Sequence, residues 1–197
     1  MAMNSPTEPF SSDDNSAPAG SIREEYERHG ADAYYRQFGS TYRNPHEDSI
    51  IRCLQLATER WPMDLSRVLD LAAGSGEVTL ALRELGAKSI DAIDPYTADA
   101  YAQRTGRSAE AFDFAQIAAG ALEGRSYSLI VCSFALHLCE PSRLPGLMYQ
   151  LSLVGDSLLV LTPHKRPRIE RAWGWELAGE FVVERVRTRW YRAARQV

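Results

Sequence analysis

The sequence contains few cysteines and no long apolar run, and each shortage excludes a class of protein. The three cysteines, Cys53, Cys132 and Cys139, form no Cys-x-x-Cys pair. We therefore expect reduced thiols in a reducing compartment and neither a disulfide framework nor a metal site. No apolar stretch approaches the ~18 residues of a membrane span, and no basic-then-apolar leader opens the chain. These features predict a soluble, cytoplasmic protein with no membrane partner, and they do not exclude the nucleus.

The chain also lacks the excess of positive charge that general nucleic-acid binders carry. Its net charge is −4, and 45% of its 197 residues are hydrophobic, which suits one globular domain with a full core. The charge is uneven, since residues 165–197 hold nine Lys or Arg against four Glu. This basic segment is explained either as an edge strand protected by arginines or as a docking face for an acidic partner.

The composition divides the chain into three parts. Residues 1–20 contain too few apolar side chains to offset chain entropy, which predicts a disordered tail. A capping box that begins at Ser21 and the cap signal Asn44-Pro45 predict an N-terminal helical region over residues 21–62, which is rich in aromatics. Strands and helices then alternate over residues 63–197. The predicted strands are 67–71, 89–94, 109–113, 127–133 and 157–162, and the predicted helices are 76–85, 97–105, 116–122 and 143–153.

This alternation predicts the fold class. Repeated βα units form a mostly parallel sheet with right-handed crossovers and helices on both faces, so we expect a Rossmann-like, doubly wound α/β domain. The C-terminal segment is rich in Val, Phe, Trp, Tyr and Arg and predicts antiparallel β structure. It contains no Gly, Asn or Pro between residues 181 and 192. Either the chain turns at Glu184-Arg185 to form a hairpin, or one long strand takes its place.

The segment Val68–Glu77, Val-Leu-Asp-Leu-Ala-Ala-Gly-Ser-Gly-Glu, carries the strongest functional signal. A buried strand ends in a turn at which Gly74 and Gly76 let the backbone approach a ligand. A second strand ends 18 residues after Gly76 in Asp94. A glycine turn followed at this spacing by an acid is typical of a nucleotide site in which the acid binds the ribose hydroxyls.

The charges around the turn distinguish between nucleotides. Thr79 occupies the position of the third glycine of a dinucleotide motif, and two acids, Asp70 and Glu77, bracket the turn. A pyrophosphate at the helix N-terminus would meet both carboxylates. A ligand with a ribose, an ammonium group and no phosphate fits better, and S-adenosylmethionine is such a ligand. A dehydrogenase or a purely structural βαβ turn is the alternative.

The Asp-x-x-x-Gly-x-Gly turn with its later strand-end acid resembles the donor site of class I S-adenosylmethionine-dependent methyltransferases. The stretch Ser133-Phe-Ala-Leu-His137 is similar to the segment after the fourth strand in their small-molecule members. The resemblance implies that the methionine part lies over Asp70, Ala72, Gly74 and Gly76, and that Asp94 takes both ribose hydroxyls. It also implies that an adenine site and a lid contribute the remaining donor contacts, namely Pro95, Tyr96, Asp113, Phe114, Ser133, Tyr35, Tyr42 and Arg43.

The resemblance implies methyl transfer by direct displacement to a small-molecule acceptor, through oxygen or nitrogen. His137 and His164 follow neighbouring inner strands and are candidates for a general base, because the histidine pKa lies near the working pH. The motifs of DNA base methyltransferases are missing after residue 133, so DNA is not an expected substrate. A protein or RNA methyltransferase docking through the Arg-rich C-terminus and a non-catalytic adenosylmethionine-binding subunit are the alternatives. The sequence does not predict the oligomeric state.

Overall fold

The computed structural model of the protein describes residues 39–194. The predicted tail over residues 1–20, the helix start at Ser21 and the lid residue Tyr35 lie outside the described residues. Within them, six strands and five helices follow the predicted alternation. The strands are β1 (Val68–Leu71), β2 (Ile90–Ile93), β3 (Leu129–Ser133), β4 (Ser157–Thr162), β5 (Trp175–Val183) and β6 (Val186–Ala193). The helices are α1 (Glu47–Arg60), α2 (Glu77–Glu84), α3 (Ala98–Thr105), α4 (Phe114–Ala118) and α5 (Leu144–Val154).

The strands form a single mixed sheet in the order β2-β1-β3-β4-β6-β5. The first four strands in this order are parallel, while β6 is antiparallel to both β4 and β5. The chain leaves β1 toward β2 on one side and later returns to place β3 on the other. The order therefore reverses between β1 and β3, and ligands of doubly wound folds bind beyond the carboxyl ends of the strands at such a point. The predicted fold class is confirmed.

Apolar residues cover both faces of the inner strands. One core cluster joins Leu69 and Ile130 to the apolar face of α5. A second cluster joins Val68 and Val131 to buried residues of α1 and α2. Strands that are covered on both faces have nearly continuous apolar sequences, and this pattern is why they can be predicted from the sequence.

One predicted strand is reduced to a single bridge. Residues 109–113 pair with the sheet only through the bridge between Ile93 and Glu110. Two backbone hydrogen bonds of Glu110, 2.8 and 2.9 Å long, form this bridge. The cause is local, because Asp113 caps α4 and draws the chain away from the sheet edge. The expected helix over 116–122 correspondingly begins earlier, at Phe114, and ends at Ala118.

The C-terminal segment is a hairpin in which β5 and β6 meet at the pair Val183 and Val186. Its two turn residues, Glu184 and Arg185, have φ values of 51° and 67°. Positive φ at both positions is the geometry that suits a two-residue hairpin and normally selects Asn-Gly. The Ser49 hydroxyl donates a hydrogen bond of 3.0 Å to the Glu184 carboxylate. The hairpin alternative is therefore the one that the chain adopts.

Candidate functional site: a cleft at the carboxyl ends of the inner strands

The turn after β1 is tight and left-handed. Ala72, Gly74 and Gly76 have φ values of 58°, 56° and 91°. A Cβ atom at Gly76 would lie 2.4 Å from the Thr105 side chain, so both conformation and space require glycine there. Ala72 adopts the same region with a side chain, and backbone strain of this kind is concentrated at functional sites.

Asp70, in the interior of β1, is 1% exposed. Its Oδ2 atom accepts a hydrogen bond of 2.7 Å from the Thr79 hydroxyl, which lies 3.1 Å from the Tyr101 hydroxyl. Its Oδ1 atom has no hydrogen-bond partner among residues 39–194. Burial is the main cause that raises the pKa of Asp70 to about 7. A buried carboxylate oxygen with an open acceptor position is suited to an ammonium group.

Asp94 holds the glycine turn. Its Oδ2 atom accepts from the Gly74 backbone N–H at 3.0 Å, and its Oδ1 atom accepts from the N–H groups of Tyr96 and Thr97 at 2.9 and 3.0 Å. A carboxylate has about four acceptor positions, so the three bonds leave one for a ribose hydroxyl. Contact with both ribose hydroxyls, as the resemblance implies, requires one of the backbone bonds to be exchanged.

A cleft of about 300 Å³ opens beside these residues. Six of its lining residues are among those predicted for the donor: Ala72, Asp94, Pro95, Tyr96, Asp113 and Phe114. Sequence reasoning missed another part of the wall, made by Leu138, Cys139, Glu140 and Arg143. These residues directly follow the Ser133–His137 stretch, and that continuity was the available signal.

Asp113 has a structural role in addition to its position in the cleft wall. Its Oδ1 atom accepts from the Gln116 backbone N–H at 2.8 Å, and the Gln116 side chain accepts from the Asp113 N–H at 2.9 Å. This reciprocal pair is a capping box. The predicted contact with an adenine amino group therefore involves a carboxylate that is already fixed at the start of α4.

The pairing of Glu77 corrects part of the charge argument made from the sequence. Glu77 is 3% exposed and does not present an open anion at the start of α2. Its Oε1 atom lies 3.1 Å from the Arg104 guanidinium and accepts from the Asn44 N–H at 3.1 Å and from the Ser75 hydroxyl. Arg104 also pairs with Glu47 at 2.5 Å. Of the two acids that bracket the turn, Asp70 is the one without a cation within ion-pair distance among residues 39–194.

The segment before α1 closes over the turn as the predicted lid would. A Cβ atom at Gly74 would lie 3.2 Å from the Tyr42 ring, so this tyrosine packs directly on the turn. Arg43 is instead exposed and lies 3.7 Å from Glu47.

The sequence predicts Asn44 as the N-terminal cap of α1, but the cap position lies two residues later. The Asn44 side chain accepts from the His46 N–H at 2.9 Å, and α1 begins at Glu47.

The structure brings the two predicted catalytic histidines together. The rings of His137 and His164 have centroids 4.6 Å apart and are tilted by 59°. Desolvation of the His137 ring, followed by the charge of His164, lowers the pKa of His137 to about 4, although the residue as a whole is exposed. Among the described residues, the cleft wall contains Leu138 and Cys139, which follow His137 in sequence, but neither of the two histidines. His137 is therefore neutral at physiological pH.

A third histidine, which sequence reasoning missed, contacts the segment after β3. Phe134 follows the half-buried Ser133 and has a φ of 54°. Its ring stacks on His46, with centroids 4.9 Å apart and an interplanar angle of 15°. The contact joins the lid segment to the loop of the histidine pair. The two residues are 88 positions apart in the sequence, so no local sequence pattern could have revealed the contact.

No helix in the described part of the chain is long and apolar enough to cross a bilayer. Likewise, no group of three His, Cys, Asp or Glu residues within 39–194 is placed to hold a metal ion.

Comparison with solved structures identifies the class to which the fold belongs. The CcbJ methyltransferase from Streptomyces caelestis superimposes with a TM-score of 0.60, at 14% identity, over 79% of this chain and 92% of its own. Magnesium protoporphyrin IX methyltransferase (ChlM) from Synechocystis PCC 6803, solved with bound S-adenosylmethionine, gives 0.53 at 18% identity over 91% and 100%. The chain has the fold of class I S-adenosylmethionine-dependent methyltransferases, as the resemblance predicted.

Sequence comparison then gives the family. No protein-family model matches the chain. Uncharacterized protein C17A5.05c from Schizosaccharomyces pombe is 34% identical over 228 aligned positions, which cover 88% of this chain and 92% of that protein. The chain belongs to the same family as this fission yeast protein.

Proposed function

We propose that the protein transfers a methyl group from S-adenosylmethionine to the oxygen or nitrogen of a small-molecule acceptor. The observation that carries the proposal is Asp70, a buried acid with one open acceptor atom at the start of a left-handed glycine turn. The class I methyltransferase fold supports it. The position of the cleft beyond β1 and β3 agrees with the site expected for a doubly wound sheet.

The residues present fit this cofactor. Asp70 would hold its ammonium group, Asp94 one ribose hydroxyl, and Phe114 with Pro95 the adenine ring. Tyr42, whose ring packs on the glycine turn, would exclude water, and its aromatic face would attract the sulfonium cation. When bound, S-adenosylmethionine supplies a sulfonium methyl group for direct displacement. Tyr35, Arg43, Asp113 and Ser133 stay proposed contacts from the resemblance.

The histidine pair would handle the acceptor proton. The charge of His164 disfavours a charge on His137, whose ring centroid lies 4.6 Å away. A neutral imidazole can accept a proton from an acceptor hydroxyl or ammonium group. A pKa of about 4 keeps His137 neutral but makes it a weaker base than an ordinary histidine, and His164 is an exposed residue at the start of the loop after β4. We propose that the pair acts as the general base.

A small acceptor is favoured over a macromolecule by the size of the cleft, since about 300 Å³ matches the lower end of small-molecule sites. An RNA or protein substrate bound through the Arg-rich C-terminus is the second candidate. Several of those arginines already have structural partners, as Arg187 and Arg189 pair with Glu180. A cytoplasmic location and the domain limits at residues 20 and 62 stay predictions.

Calorimetry tests the donor site. S-adenosylmethionine, its demethylated product and NAD⁺ would be titrated in parallel, with binding expected for the first two only. Asp94→Ala should abolish this binding, because it removes both the proposed ribose contact and the acceptor that holds the glycine turn. The matched control is Asp99→Ala, which removes an exposed acid from α3 and should bind normally. A preference for NAD⁺, or undiminished binding by Asp94→Ala, would refute the proposed site.

A further inference from the structure

We propose that the methyl acceptor carries an anionic group, a carboxylate or a phosphate, which binds to the loop between β4 and β5. This inference rests on the proposed function. The loop segment of residues 164–168, His-Lys-Arg-Pro-Arg, is termed the basic loop. Its three cations are Lys165, Arg166 and Arg168.

The cations of the basic loop are available to a ligand. All three side chains belong to exposed residues. None of them has a carboxylate within ion-pair distance among residues 39–194, although eight other ion pairs occur there. Three like charges within four positions repel one another. An anion that binds between them relieves this repulsion and gains charge-assisted hydrogen bonds.

A buried arginine fixes the basic loop from beneath. Arg189, in β6, is 2% exposed, and it donates to the carbonyl oxygens of Lys165 and Pro167 at 2.8 and 2.9 Å. Its third contact is with the Glu180 carboxylate at 2.6 Å. Burial of a guanidinium is costly unless its donors are satisfied. Here they are satisfied by Glu180 and by the loop backbone, so Arg189 anchors the loop without the side chains of its exposed cations.

The basic loop adjoins the proposed site of proton transfer. His164 is its first residue, and its ring lies 4.6 Å from His137. The residues that follow His137, Leu138 and Cys139, form part of the cleft wall. An anion held by Lys165 or Arg168 therefore brings the rest of the acceptor next to the histidine pair. The protein's net charge of −4 favours a small anion over RNA, which needs a longer basic surface.

Anion titration of the histidine signals tests the proposal. Inorganic phosphate and acetate would be added separately to the full-length protein, with and without S-adenosylmethionine, while NMR follows the imidazole resonances of His137 and His164. The test variant combines Lys165→Gln with Arg168→Gln. The control combines Lys88→Gln with Arg107→Gln, which removes the same charge from exposed positions next to β2.

We expect saturable shifts in the wild type and the control, and an affinity for the preferred anion that is roughly threefold to tenfold weaker in the test variant. Phosphate and acetate distinguish the two anionic groups. Equal affinity in the test variant and the control, or no saturable shift with either anion, would overturn the proposal. Tighter binding of a ten-nucleotide RNA through Lys165 and Arg168 would overturn it in favour of RNA. Because the titration without donor needs no S-adenosylmethionine binding, its result is independent of the calorimetric test of the donor site.

Discussion

The Arg104 guanidinium lies between Glu77 and Glu47, at 3.1 and 2.5 Å, and thereby joins three parts of the chain. Glu77 begins the helix after the glycine turn, Glu47 begins α1, and Arg104 lies in α3. The buried Glu77 also accepts from the Asn44 N–H. Arg104 therefore joins the start of α1, directly after the lid segment, to the helix that follows the glycine turn.

Replacement of Arg104 by Gln should destabilise the protein. The substitution leaves Glu77 buried without its cation, and removal of one partner from a buried pair costs about 3–5 kcal/mol. The partial exposure of Glu47 puts the expected loss at the lower end of this range. Urea denaturation measures it. The control is Arg171→Gln, whose ion pair with Glu176 is largely exposed and should contribute less than about 1 kcal/mol.

A similar cost in both arginine variants would show that Arg104 is not a structural link. Donor affinity provides a second measurement. If the lid is held through Arg104, Arg104→Gln should weaken S-adenosylmethionine binding more than Arg171→Gln does under conditions in which both variants are folded.

Gly76→Ala should destabilise the protein by more than the conformational cost of placing alanine at the positive φ of residue 76. The φ of 91° alone costs a side chain about 1–2 kcal/mol, and the new Cβ would also lie 2.4 Å from the Thr105 side chain. Gly120→Ala isolates the first contribution, because Gly120 has a φ of 98° and a Cβ there would meet nothing within 4 Å. Thermal unfolding of both variants gives the difference, and equal losses would contradict the proposed clash.

The sheet and its helices could be predicted because their signal is local. The strands β1, β3 and β4 are apolar runs. The glycine turn directly follows β1, and Asp94 directly follows β2 at the spacing typical of a nucleotide site. Long-range pairs have no such signal. The Glu77–Arg104 ion pair spans 27 positions, and its absence from the sequence argument led to an incorrect charge for the turn.

The hairpin was undecided for a different reason. Glu184 and Arg185 adopt a geometry that Asn-Gly favours, so turn propensity and tertiary structure disagree at these positions. Antiparallel pairing of β6 with β4 over six residue pairs outweighs the local preference. The third predicted strand shows the reverse case, since the cap at Asp113 ends its pairing after one bridge.

Replacement of Glu184-Arg185 by Asn-Gly should therefore stabilise the protein. Relief of two left-handed side chains is worth about 1 kcal/mol in net terms, because glycine also gains entropy in the unfolded state. The loss of the Ser49–Glu184 hydrogen bond, which is exposed, offsets little of this gain. A rise in the midpoint of thermal unfolding with unchanged donor affinity is the expected result. A fall would show that the Glu184 contact with α1 outweighs the turn geometry.

The ionisation of Asp70 should make both stability and donor binding depend on pH. Its pKa is about 7 in the folded protein against about 3.9 in the unfolded chain, so the folded state binds more protons between these values. The stability that the Asp70 carboxyl contributes is therefore fully present below the unfolded pKa. The free energy of unfolding falls as pH rises from the unfolded to the folded pKa, by about 4 kcal/mol in total. Asp70→Asn should remove this dependence.

An ammonium group bound at Oδ1 favours the ionised acid, so S-adenosylmethionine should bind more tightly above about pH 7 and release a proton below it. Calorimetry in two buffers of different ionisation enthalpy detects that proton. No proton release by the wild type, or equal release by Asp70→Asn, would show that Asp70 does not hold the donor.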